Sequence, residues 1–380
     1  MSTLGYFDYL GSTPLDPRVS AVMLEAWATP GNASAQDHAF GWRAAETVSA
    51  ARREVAQGLG ALEEEIVFTS GATEANNLML TGAARAAPSS RRRLLVSPIE
   101  HKSVLAPAHG LEAEGFSCEF VTLDRSGRVD LEAFEAQLDD TVAVVSIMAI
   151  NNEIGVIQDV AALSRLTAQV GTFLHVDATQ APAAMAVDLH TWGCDGASLS
   201  AHKIYGPGGV GAAYISDVAP WRPHALVTGG GQENGLRAGT VPQALCAGFA
   251  RAVGLLQTHG NADRHHAARL RSEVLKVLRR HFGEVIETAA DAPRHPGCLH
   301  VRLKTVDAAD LLLRLQPRIA AAIGSACTSG TIGPSHVLRA LGWTDAAAAE
   351  VLRFSVGRFS TDQDVALLDE TLSSLLARAA

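Results

Sequence analysis

The sequence predicts an α/β protein: a large domain on a mainly parallel, seven-stranded type of sheet covered by helices, followed by a smaller α+β domain. Three observations predict it. Short β-rich runs alternate with amphipathic helical segments through the first two-thirds of the chain, the pattern of a parallel sheet whose crossovers are helices. The helical stretch from Gln243 to His281 is long enough to bridge two bodies. Beyond it lie two more strand-like runs, His300–Leu303 and Leu352–Val356, set among helices. A chain of 380 residues has material for two cores. The expected division is residues 15–258 for the large domain, and residues 1–14 with 259–380 for the small one.

The elements follow in order. Phe40 to Leu59 carries apolar and alanine positions at helical spacing. Glu65–Thr69 reads as a strand, with Ser70-Gly71-Ala72-Thr73 and a helix after it. Leu94–Ser97, Cys118–Thr122, Val142–Ile147 and Phe173–Asp177 are further β-rich runs. Helical segments around Leu131–Leu138 and Val160–Val170 separate them. Helices near Ala308–Leu315 and Asp364–Leu376 complete the second body.

Composition narrows the function. Hydrophobic residues make up 47% of the chain and charged residues 19%, as in an ordinary globular protein. A net charge of −9 argues against a nucleic-acid binder. Arg91-Arg92-Arg93 and Arg279-Arg280-His281 read as solvated helix ends or loops. No apolar run reaches the roughly 20 residues that cross a bilayer, and Met1–Tyr6 has no charged-then-apolar leader, so a cytoplasmic protein is expected. The five cysteines form no CxxC pair, which suits a reducing compartment and weighs against a structural metal site.

In parallel sheets ligands gather at the carboxyl ends of the strands, so the residues just after each strand matter most. Ser198-Leu199-Ser200-Ala201-His202-Lys203 ends an apolar run in a serine, a histidine and a lysine, with a glycine-rich turn after it. A lysine amine is a nucleophile only when deprotonated, and desolvation favours that form. Ser70–Thr73, with its backbone N–H groups and hydroxyl, reads as a phosphate cradle or a plain N-cap. Asp177 ends a strand, where a carboxylate can hold a protonated pyridine nitrogen, and Gln180 lies about one turn further on. Asn152, in Asn151-Asn152-Glu153-Ile154-Gly155, and His101, in Glu100-His101-Lys102, also follow strands. A histidine there can stack on a ring and move protons near neutral pH.

Gly229–Glu233 with Arg237–Thr240 reads as a loop that approaches an anion. Cys327 sits among small residues in Gly324–Gly330, with nothing local to bury its thiol, so it reads as accessible. Cys298 reads as a small core residue. The guanidinium of Arg353 points away from Leu352 and Phe354 in an alternating strand and can grip a carboxylate. Gly206-Pro207-Gly208-Gly209-Val210-Gly211 matches the dinucleotide fingerprint, but a strand-like run follows it where a helix is required, which rejects that reading. His259 with His265-His266 reads as a charged helix face, and no metal is expected.

Taken together, Ser70–Glu74, Glu100–Lys102, Asn151–Gly155, His175–Gln180, His202–Pro207, Gly324–Ser329 and Arg353–Ser355 resemble, in order, the motifs of the cysteine desulfurases. These are pyridoxal phosphate (PLP) enzymes of the class V aminotransferase group with fold type I. The resemblance implies that Lys203 forms the Schiff base with PLP, Asp177 holds its ring nitrogen, and His101 stacks on the ring. It implies ring-oxygen contacts from Gln180 and Asn152, and a phosphate site of Ala72, Thr73, Ser200 and His202, completed by Thr240 from the second subunit of a homodimer. Arg353, with Asn152, would bind the carboxylate of L-cysteine. Cys327 would take the sulfur as a persulfide and pass it to acceptor proteins, as in the mobile-loop subgroup. The destinations such a family implies are iron–sulfur clusters, thiolated tRNA, sulfur-containing cofactors or phosphorothioated DNA. The alternatives are selenocysteine lyase, another class V reaction, or a scaffold of a sulfur-transfer complex that has lost catalysis. The chain departs from the family pattern in Asp8-Tyr9-Leu10-Gly11-Ser12-Thr13-Pro14, where bulkier residues replace small ones, in Gly31-Asn32-Ala33-Ser34, which lacks a proline, and at Asn234, where an arginine is common.

Overall fold

The structure, a computed structural model, describes residues 4–323 and 335–377. The chain opens on a short strand, β1 (Gly5–Tyr6). Seven strands follow: β2 (Ile66–Thr69), β3 (Arg93–Val96), β4 (Ser117–Phe120), β5 (Val142–Met148), β6 (Phe173–Asp177), β7 (Gly196–Ser200) and β8 (Gly211–Ile215). They form one sheet in the order β2-β8-β7-β6-β5-β3-β4. Strand β8 runs antiparallel to both neighbours, and the remaining pairs are parallel. Central parallel strands are covered on both faces and need no polar side. Strand β5, Val-Ala-Val-Val-Ser-Ile-Met, is accordingly buried at every position.

Alternate side chains of these strands enter two cores. Leu95, Leu174, Val176 and Leu199 pack with the helices Ala39–Leu59 and Val160–Val170. Leu94, Val96 and Ala213 pack with Met79 and with Val104 of the helix Lys102–Gly110. The helix ends are written locally. Asp159 caps Val160–Val170 by accepting the Ala162 N–H, and Gly171 closes it in the left-handed conformation that glycine adopts without strain (φ 61°).

The helix Gln243–Phe282 runs for 40 residues without a break. Its first half puts Phe249 and Val253 into the large core. Its second half puts Leu270, Val274 and Leu278 against Phe7, Val301, Phe354 and Leu368. That second core lies on β9 (Val285–Glu287), β10 (Cys298–Leu303) and β12 (Val351–Ser355), an antiparallel sheet, while β11 (Ile319–Ala320) pairs in parallel with β1. The amino-terminal segment therefore joins elements more than 300 positions away, and Asp8 bridges to Ser355.

The arginine run at 91–93 differs from its sequence reading. Arg91 donates to the carbonyls of Val142 (2.8 Å) and Val170 (2.7 Å). Arg93 pairs with Glu119 and Asp139, both at 2.8 Å. Arg91 thus satisfies carbonyls at the start of β5 and at the end of the helix Val160–Val170, where regular partners run out.

The glycine-rich segment after β8 is anchored through Glu233, which is 8% exposed. Its carboxylate takes two bonds from Arg52 (2.6 and 2.8 Å) and the N–H of Phe68 (2.7 Å). Removing one partner of a buried ion pair strands the other. Glu233→Ala is expected to cost about 3 kcal/mol of stability in urea unfolding, and Glu233→Gln, which keeps the hydrogen-bonding shape, less.

Candidate active site

A cavity of about 480 Å³ opens at the carboxyl ends of the parallel strands. Ala72, Thr73, His101, Asn152, Asp177, Gln180, Ser200, His202, Lys203 and Arg353 all line it. All but Arg353 come from five strand ends: residues 72–73 after β2, His101 after β3, Asn152 after β5, Asp177 and Gln180 at the end of β6, and Ser200, His202 and Lys203 at the end of β7. Arg353 reaches in from β12, on the second body. Thr240 is exposed and does not line this cavity. Cys327 lies outside the described residues.

Asp177 is 5% exposed, and accepts from Asn76 Nδ2 (2.8 Å) and from the N–H of Thr179 (3.0 Å). Glu100, fully buried behind it, accepts the Met148 N–H at 2.6 Å. Burial and the charge of Asp177 push the Glu100 carboxyl well above the usual carboxylate range. Its ionisation is thereby disfavoured. His101 caps the helix Lys102–Gly110, its Nδ1 accepting the Ser103 N–H at 3.1 Å. Burial lowers its pKa, with Lys203, His336 and Lys102 acting the same way and Asp177 opposing.

Lys203 donates from Nζ to the carbonyls of Leu10 (2.7 Å) and Gly11 (2.6 Å). Gln180 donates to the same Leu10 carbonyl at 2.9 Å. The hydroxyl of Thr13 bonds the His202 carbonyl (2.8 Å) and takes the Tyr205 N–H (2.7 Å). The family-divergent segment from residue 8 to residue 14 is thus sewn along the wall of the cavity. Arg353 is 3% exposed and donates to the Asn152 carbonyl (2.6 Å) and to Asp8 Oδ1 (2.5 Å), while its buried Nε has no partner. Arg237 does not line the cavity. It pairs with Glu74 at 3.0 Å, because the segment folds back along the helix that follows β2.

Some residues of the site escaped sequence reasoning. Asn76 and Ser103 hold Asp177 and His101, and Asp8 and Leu10 hold Arg353 and Lys203. A weak signal existed for Asn76, a poor helix former inside a helix. None existed for Asp8, whose partner stands 345 positions away.

The fold and the cavity define the class: an α/β protein whose strand ends hold a lysine, an aspartate and a phosphate-type cradle. The sequence model of the aminotransferase class-V family matches residues 5–368. A cysteine desulfurase IscS from Anaeromyxobacter sp. is 40% identical over 361 residues, covering 95% of this chain and 89% of the relative. A solved NifS-like protein superposes with a TM-score of 0.90 at 32% identity, covering 98% of this chain and 99% of the other. A structure described as SspA in complex with cysteine superposes with a TM-score of 0.81 at 30% identity, covering 94% and 100%. This chain belongs to the class V aminotransferase family, within its cysteine desulfurase branch.

Members of that family use PLP, and the cavity fits it. A buried carboxylate receiving neutral N–H donors is complementary to a protonated ring nitrogen. The buried Thr179 hydroxyl has no partner and lines the same cavity. At the other end, Gly71 holds φ 151° beside Ser200, a conformation that keeps the loop free of a side chain where a phosphate would lie.

The site also sets an acid limit. Burial pushes His175 and His202 down to about 4, His202 with help from Lys203, and burial does the same to His295. In the unfolded chain these rings protonate near pH 6.5. Stability is therefore fully present above about pH 6.5 and declines as the pH falls toward about 4. Asp195, raised by burial to about 6, and Glu100 act in the opposite sense and offset part of it. Denaturation midpoints measured across this range are expected to fall with pH, and His175→Gln to flatten the slope.

Proposed function

We propose that the chain removes sulfur from L-cysteine, releases L-alanine, and leaves the sulfur as a persulfide on Cys327 for acceptor proteins. The carrying observation is that Lys203 and Asp177 line one cavity with Arg353, which pairs with Asp8 and keeps its own buried Nε without a partner. PLP, when bound, supplies an electron sink for the substrate α-carbon. Asp177 holds its ring nitrogen, and Gln180 and Asn152 its ring oxygen. Ala72, Thr73, Ser200 and His202 hold its phosphate, and His101 lies against the ring. Lys203 Nζ would anchor it, take the proton from the substrate α-carbon and return one there, while the β-carbon gains a proton equal to the one lost when the Cys327 thiol ionises. Arg353 takes the substrate carboxylate. The substrate C–S bond breaks as the Cys327 thiolate bonds to its sulfur, so that cysteine and a thiol become alanine and a persulfide.

We further propose that residues 15–258 form the cofactor domain, and residues 1–14 with 259–380 the small domain. The active unit is a homodimer in which Thr240 of a second copy reaches the phosphate. Support comes from the exposed Leu24, Trp27, Phe40 and Trp42, apolar surface of the kind that a partner covers. No helix among the described residues is long and apolar enough to cross a membrane, and we place the enzyme in the cytoplasm.

The test is alanine release from L-cysteine, with persulfide read by mass on Cys327. Lys203→Ala is expected to release no alanine. Cys327→Ser is expected to bind PLP normally but form no persulfide, and full desulfuration by this variant overturns the acceptor assignment. Arg353→Ala is expected to raise KM about 30-fold or more, the worth of a charge-assisted pair. Asp8→Asn, which weakens the competing carboxylate, is expected to lower KM with kcat unchanged.

A further inference from the structure

We infer that Asn76 and Ser103 are positioning residues that join Asp177 to His101 in one polar relay, and that this relay fixes the His101 tautomer with its proton on Nε2. The use made of His101 rests on the function proposed above; the relay rests on protein atoms alone.

The donors run in one direction. Asp177 Oδ2 accepts from Asn76 Nδ2 at 2.8 Å, and the same Nδ2 donates to Ser103 Oγ at 2.8 Å. A carboxylate only accepts, so the amide must turn its NH₂ group toward Asp177, and turning it over would set oxygen against oxygen. This orientation leaves Asn76 Oδ1 buried without a partner, a cost tolerated only because the two bonds from Nδ2 fix it. Ser103 Oγ accepts from Asn76 and lies 2.8 Å from His101 Nδ1, so its own hydrogen goes to that nitrogen. The Ser103 N–H, which cannot reverse, points at the same Nδ1 from 3.1 Å. With two donors aimed at Nδ1, the neutral ring carries its hydrogen on Nε2. Asn76 is 0% exposed, Asp177 5% and Ser103 8%, and bonds of this kind strengthen one another away from water.

The three elements that meet here have separate origins: the helix after β2, the first turn of Lys102–Gly110, and the end of β6. The charged or titratable groups around the ring are Asp177 from β6, Lys203 beyond β7, His336 from the helix His336–Ala340, and the adjacent Lys102. Their effects agree with a neutral ring, since burial, with Lys203, His336 and Lys102 acting the same way, outweighs Asp177. Proton traffic at His101 is thereby confined to Nε2. Charging the ring at Nδ1 takes the acceptor away from the Ser103 N–H and reverses its hydroxyl.

The experiment is ¹⁵N NMR of the histidine-labelled full chain, with and without added PLP. His101 is assigned by its loss in His101→Gln. The native protein is expected to show Nδ1 unprotonated and Nε2 protonated above the titration midpoint. Ser103→Ala is expected to mix the tautomers and raise that midpoint by about half to one unit, the worth of one hydrogen bond. Ser103→Thr, which keeps the hydroxyl, is expected to restore both, and Asn76→Ala to move His101 in the same direction as Ser103→Ala. Unchanged signals of His300, buried on β10 of the second body, establish that the variants are folded. A native Nδ1–H tautomer, or a folded Ser103→Ala protein with His101 signals identical to native, overturns the relay. If the relay responds as described but PLP leaves the His101 signals unmoved, the relay stands and the cofactor reading fails.

Discussion

A negative charge held inside the sheet organises this molecule. Asp177 ends a strand in the middle of seven, where an ion is costly unless hydrogen bonds replace its water. Asn76 from a neighbouring helix and the turn at Thr179 supply those bonds. Burial sets the state of its neighbours. Burial first, and the charge of Asp177 second, disfavour ionisation of Glu100, while burial lowers the pKa of His175, hydrogen-bonded to Ser146 (2.8 Å) and Ser198 (2.9 Å), against the opposing pull of Asp177. The Asp177 carboxylate is thus positioned in the cavity to meet a ligand of opposite sign.

The second constraint is the way the amino-terminal segment closes the cavity wall. Leu10 and Gly11 present carbonyls to Lys203, Thr13 bonds both sides of the turn after it, and Asp8 occupies one arm of Arg353. Tyr205 takes a positive φ of 68°, which a tyrosine adopts only when its surroundings dictate it. The Thr13 bond to its N–H, the Arg358 N–H on its hydroxyl (2.8 Å) and the Arg358 guanidinium 4.2 Å over its ring together do so. Bulkier residues in this segment therefore leave the lysine anchored, since backbone carbonyls do the anchoring.

Much of this was legible in the sequence. The β-rich runs and the long bridging helix are local signals, and the strands those runs mark fall within a residue or two of where they put them. The strand-end rule located the cavity residues from Thr73 to Lys203, because in a parallel sheet the chain itself delivers those positions to one edge. What stayed hidden depends on long-range pairing. The contact of Asp8 with Arg353, the burial of Glu233 on Arg52 and the bonds from Arg91 to the Val142 and Val170 carbonyls join residues that no periodicity relates. The roles of Asn76 and Ser103 were hidden for a different reason: their residue types are ordinary, and only their convergence on Asp177 and His101 gives them meaning.

The 40-residue helix Gln243–Phe282 has one further consequence. Its two halves are faces of two different hydrophobic interiors, so neither interior can melt without stripping apolar surface from the shared rod. The two bodies are thereby welded into one cooperative folding unit. A chain cut in mid-helix would leave each fragment with an exposed, sticky stump, so the connection acts as a girder common to two rooms.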